Sequence, residues 1–120
     1  MNEETKEHCL MLDERGRGMV MTLSQKEEIK RRIVACLSTE KEIRKIVIFG
    51  SFLNSPDPHD VDVAVFQESA EPYLPLALKY RRAVRSVADT IPLDIIPIRS
   101  SGSSGTFLAE VARGEVVYER

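Results

Sequence analysis

Between Asp60 and Phe66 the chain alternates: Asp60 and Asp62 share one parity, and Val61, Val63 and Val65 share the other. Successive side chains on a β-strand point to opposite faces. The segment therefore reads as a strand with one apolar face and one face that opens with two carboxylates. Such a strand belongs in a sheet that is covered on one side and partly open on the other. The two Asp Cα atoms would lie about 6.5 Å apart, from a rise of about 3.3 Å per residue, near enough to converge on one cation. The plain alternative is a pair of polar positions on an exposed face.

The rest of the chain supplies elements to build around that strand. Ser24-Gln25-Lys26-Glu27 has the form of a capping box, and Ile29, Ile33, Val34 and Leu37 follow at helical spacing, so a helix is expected over about 24–39. Lys45 to Phe49 is a β-branched and aromatic run that ends at Gly50, the mark of a buried strand. Residues 51–59, with two prolines, form a loop. Pro72 suits the first turn of a helix. Tyr73, Ala77, Tyr80, Val84 and Val87 carry that helix to about Asp89. Leu93 to Ile98 reads as a third strand, residues 99–105 as a flexible connection, 106–113 as a short helix ending at Gly114, and Val116 to Tyr118 as a last strand. The order is α-β-β-α-β-α-β, without internal repeats. The expected fold is α/β, an α+β two-layer domain with a mixed, mostly antiparallel sheet and helices packed on one face. Residues 1–20, acidic and interrupted by Gly16 and Gly18, are expected to be a loose arm, and residues 21–120 the domain.

Whole-chain properties narrow the classes of function. With 120 residues, 42% of them hydrophobic, one domain is expected. A net charge of −2 gives no basic excess for nucleic acid. No apolar run is long enough for a membrane helix, and the polar N-terminus does not resemble a leader. Cys9 and Cys36 make neither a disulfide framework nor a zinc spacing. The cytoplasm is the expected compartment.

Asp94 adds a third charge, set in the apolar run Pro92-Leu93-Asp94-Ile95-Ile96. An isolated carboxylate there is costly unless solvated or paired. If its strand neighbours the Asp60–Phe66 segment, at about 4.8 Å, Asp94 joins the pair; otherwise Arg81 or Arg85 on the preceding helix is its partner. Three clustered carboxylates raise one another's pKa values, and a divalent cation relieves that. Mg2+ favours carboxylates combined with substrate phosphates, and two ions about 3.5–4 Å apart serve phosphoryl transfer. Gly50-Ser51 complements the cluster, because glycine permits close backbone approach and the Ser hydroxyl and nearby N–H groups donate to phosphate oxygens. Asp57, between two prolines, and His59 read as loop residues. Lys79, Arg81, Arg82 and Arg85 form a basic helix face that is either solvated or meets an anionic partner.

Gly-Ser, a spacer, Asp-x-Asp and a later Asp on another strand resemble the DNA polymerase β-type nucleotidyltransferase superfamily, and the short length resembles its minimal, MntA-like antitoxin group. The closing Gly114 to Glu119 segment is also similar to the ending of such domains. The resemblance implies a nucleotidyltransferase fold and Mg2+-dependent transfer of a nucleoside monophosphate, AMP from ATP, to an acceptor hydroxyl. It implies triphosphate contacts at Gly50 and Ser51, metal binding by Asp60, Asp62 and Asp94, and assistance from Asp94 in activating the acceptor. It further implies a HEPN-type toxin partner carrying the modified tyrosine, with a second copy of the chain as the alternative source of acceptor-binding surface. Two features depart from the pattern. The spacer of eight residues between Ser51 and Asp60 is short, and Asn54-Ser55 stands near where an Arg-Gly is familiar. The competing reading is a nucleotidyltransferase-fold module that neutralises its partner by contact.

Overall fold

In a computed structural model, which describes residues 20–99 and 106–120, the alternating segment is the second of four strands. The elements are α1 (Leu23–Leu37), β1 (Ile43–Phe49), a 3-10 turn (Gly50–Leu53), β2 (Val61–Gln67), α2 (Tyr73–Ala83), α3 (Arg85–Ala88), β3 (Leu93–Arg99), α4 (Thr106–Ala112) and β4 (Glu115–Glu119). The sheet order is β3-β2-β1-β4. β1 pairs antiparallel with both β2 and β4, while β2 and β3 are parallel. A parallel pair needs a crossover, and α2 with α3 provides it. The arm expected over residues 1–20, except Val20, and the flexible stretch expected over 99–105, except Arg99, lie outside the described residues.

Alternation sorts the sheet as expected. Val61, Val63 and Val65 are fully buried with Ile46, Ile48 and Ile95 against Ile29, Ile33 and Leu37 of α1 and Leu76 and Tyr80 of α2. On the opposite face Val47, Phe49, Ala64 and Ile98 form a smaller cluster with Val111 of α4. Three helices thus cover one face. α4 covers only part of the other, and the two Asp-bearing strand starts stay accessible.

Helix α1 starts earlier than Ser24. Thr22 is the N-cap: its hydroxyl accepts from Gln25 N–H at 3.1 Å, and the Gln25 side chain accepts from Thr22 N–H at 2.8 Å. Two overlapping sequences satisfy the capping pattern, and tertiary ties choose between them. Starting at Thr22 lets Met21 bury its side chain and donate its N–H to Pro56 O at 2.9 Å, and lets Lys26 Nζ donate to Ser55 O at 2.7 Å. The long helix expected over Pro72 to Asp89 is divided at Val84, a β-branched residue at φ −103°, ψ 16°. Pro72 stands at the N-cap position, with no side-chain capping bond, rather than in the first turn, and Tyr73 is exposed. Gly114 does not end α4 through a left-handed conformation, since Gly50 is the positive-φ glycine among the described residues. Its requirement is steric: a Cβ there would meet Ile48 O at 2.5 Å and Val47 Cγ1 at 2.8 Å. Among the described residues no helix is long and apolar enough to cross a membrane.

Candidate active site

β2 carries Asp62 one residue into the strand, on the face away from the main core. Its partner in the antiparallel register is Phe49, immediately before Gly50, and its partner in the parallel register is Asp94. Register partners in a sheet point the same way, so Asp62 and Asp94 share a face. Asp60 lies just before β2, exposed, two residues from Asp62 and therefore of the same parity. The backbone is held there by Val61 N–H, which donates to Pro92 O at 3.0 Å and ties the start of β2 to the entry of β3.

Electrostatics identify the same group. The Asp62 carboxyl is pushed above its ordinary value first by burial, then by the charge of Asp60, then by that of Asp94. The Asp62 carboxylate therefore feels both of the others. Asp94 is half-exposed on the edge strand, and its Oδ1 also stands 3.7 Å from Arg81 Nη2, a long, solvent-screened pairing. Both readings of Asp94 are thus partly met, because an edge strand lets a guanidinium from α2 approach while the register holds Asp94 beside Asp62.

Gly50 is more tightly bound to this group than its position at a strand end implies. Its φ is +85°, and an added Cβ would meet Asp62 Oδ2 at 2.5 Å. The space a side chain would fill is taken by the Asp62 carboxylate. Ser51 follows, exposed, at the start of the 3-10 turn, and its carbonyl accepts from Asn54 N–H at 3.1 Å and Ser55 N–H at 2.7 Å. Buried Phe52 anchors the turn beneath it, with Lys26 Nζ 5.6 Å above the ring. Asp57 is a turn residue: it accepts from Ser55 Oγ at 2.9 Å while its N–H donates back to the same hydroxyl at 3.2 Å.

Among the described residues no three His, Cys, Asp or Glu side chains are drawn together closely enough to hold a metal ion by themselves. Two neighbouring carboxylates, Asp60 and Asp62, the latter with its charge disfavoured by burial and by the charges of Asp60 and Asp94, fit instead a hard cation completed by water and phosphate oxygens. Asp60 and Asp62 are the residues suited to hold it.

Beside the Gly50–Ser51 turn is a cleft of about 200 Å³, lined by Gly50, Ser51, Leu53, Asn54, Glu110 and Arg113. Glu110 and Arg113 are absent from the sequence-derived set. Their signal is faint, a charged pair three residues apart at the end of a short helix, followed by a glycine.

The chain's sequence matches the family described as polymerase beta, nucleotidyltransferase over residues 31–120. No curated protein matches it. Among solved structures it is similar to a chain from tri-AMPylated Shewanella oneidensis HEPN toxin in complex with MNT antitoxin, with a TM-score of 0.58 and 18% identity, over 79% of this chain and 73% of that one. It is also similar to one from the toxin–antitoxin pair MntA–HepT, with a TM-score of 0.55 and 18% identity, over 78% and 73% of the two chains. A third, from a toxin–antitoxin structure with AMP-PNP, gives a TM-score of 0.59 and 19% identity, over 76% and 73%. At these identities the likeness is one of fold.

Proposed function

The chain belongs to the polymerase β nucleotidyltransferase family, and from that premise we propose that it moves a nucleoside monophosphate, AMP from ATP, to an acceptor hydroxyl on a HEPN-type protein partner. The observation that carries this reading is the alignment of Asp62 with Asp94 across the parallel pair, with Asp60 adjacent and Gly50 in van der Waals reach of the Asp62 carboxylate.

In this reading Asp60 and Asp62 hold Mg2+. The cation would neutralise phosphate charge and favour departure of pyrophosphate. Gly50 and Ser51 orient the triphosphate through backbone N–H groups and the Ser hydroxyl. Asp94, half-exposed at the sheet edge, accepts the proton of the attacking hydroxyl as its oxygen bonds to the α-phosphorus. The bond from that phosphorus to the bridging oxygen breaks, and pyrophosphate leaves with the electron pair. An edge position suits an acceptor presented by a second macromolecule. The solved neighbours with HEPN toxin and with AMP-PNP support the choices of partner and nucleotide. Residues 21–120 are the proposed working unit, the family match lying within them at residues 31–120. The proposed compartment is the cytoplasm.

The test uses α-labelled ATP and Mg2+ with the candidate partner. Label is expected to move to the partner and to stay on ATP with Asp60→Asn/Asp62→Asn. Tight partner binding without transfer, unchanged by those substitutions, would instead establish a module that neutralises by contact.

A further inference from the structure

A nucleoside triphosphate brings several negative charges to a site whose marked side chains, Asp60, Asp62 and Asp94, are all negative. The loop from Ser51 to His59 contains no Lys or Arg. The cleft beside the Gly50–Ser51 turn does contain a cation. Among its described lining residues that cation is Arg113.

The fold, not the loop, delivers it. Gly114 is pressed against the end of β1, where a Cβ would meet Ile48 O at 2.5 Å and Phe49 Cβ at 2.9 Å. Residue 113 is thereby carried to the strand end that leads into Gly50. The Arg113 side chain is three-quarters exposed, and its Nη1 stands 3.6 Å from Glu110 Oε2, a loose pairing that a stronger anion can displace. A guanidinium offers a planar fork of donors matched to phosphate oxygens. The cleft, at about 200 Å³, is smaller than a site for a whole nucleotide, which begins at about 300 Å³, and so suits phosphates rather than the base.

We propose that Arg113 binds the β- and γ-phosphates of the incoming nucleoside triphosphate, exchanging Glu110 for them. This rests on the functional reading above and adds to it a specificity residue on a different element.

Titration of the full chain with mant-ATP and with mant-AMP, in Mg2+, tests it. Arg113→Ala is expected to weaken mant-ATP about tenfold or more, the worth of a hydrogen bond to a charged group, and to leave mant-AMP unchanged. Arg113→Lys should recover part of the loss. Glu110→Gln should tighten mant-ATP. Equal mant-ATP affinity for wild type and Arg113→Ala overturns the role of Arg113 alone, as does parallel loss of both nucleotides. A wild-type chain that binds neither overturns the functional reading, and this assignment with it. Arg113 is exposed, so the melting temperatures of its variants should match wild type and keep the binding comparison interpretable.

Discussion

A methyl group at position 50 would stand 2.5 Å from Asp62 Oδ2, on a backbone at φ +85°. Both terms oppose it. Gly50→Ala is expected to cost about 1–3 kcal/mol, the range for a non-glycine residue held in a sparsely populated region, and to displace the carboxylate. Urea unfolding and Mg2+-dependent nucleotide binding would read the two effects, and a variant with wild-type values in both would contradict the coupling. Asp62 itself opposes folding. Its folded pKa is raised, so the penalty is absent below the unfolded value of 3.8, grows as pH rises toward the folded value, and is fully present above it. Asp62→Asn is therefore expected to melt higher than wild type at neutral pH, to lose that advantage in acid, and to lose transfer. A lower melting temperature at pH 7 would refute the assignment. The candidate residues were legible because alternation and isolated charge are local properties of sequence. The contact of Gly50 with Asp62 was not, since it depends on the register between two strands.

At the scale of elements, the start of α1 separates two capping patterns. Thr22→Ala is expected to cost about 1 kcal/mol, as loss of an N-cap does, whereas Ser24→Ala, at an exposed position inside the helix, should change stability by about 0.5 kcal/mol or less. Thermal unfolding of the two variants decides between them; the reverse order would restore the cap to Ser24. The pattern alone is degenerate here, and what selects Thr22 is the attachment of Met21 and Lys26 to a loop about thirty residues away. A second junction joins β1 to α2 through Glu42. Burial pushes this carboxyl up, but backbone donation, the Tyr80 hydroxyl at 2.8 Å and Lys79 at 3.1 Å outweigh it, and the pKa is lowered. The resulting stability is present above the unfolded value of 4.5 and is lost as pH falls through the folded value. Glu42→Gln should be less stable than wild type at neutral pH by on the order of 1 kcal/mol, and the gap should close in acid denaturation below pH 4.5. A gap constant with pH would point to packing instead. Element types and order were legible from periodicity. The division at Val84 and the placement of α4 on the site face were not, because both are decided by what each element packs against.

For the molecule as a whole, the site draws on every strand of the sheet except β4, the edge opposite β3. Gly50, Ser51, Asp60 and Asp62 belong to one antiparallel hairpin. Asp94 joins only through the crossover of α2 and α3, and Arg113 only when α4 lies down on the second face. Contacts close in sequence form with the least loop-closure entropy. The parallel pairing of β2 with β3 thus sets a timetable: in refolding, pulse-labelled amides of β1 and β2 should gain protection before those of β3, and simultaneous protection would contradict the order. A chain still being synthesised then owns the pair proposed to hold the cation early, Asp94, the proposed proton acceptor, later, and Arg113, the proposed phosphate ligand, last. The proposed site is complete only once α4 has been made and has packed.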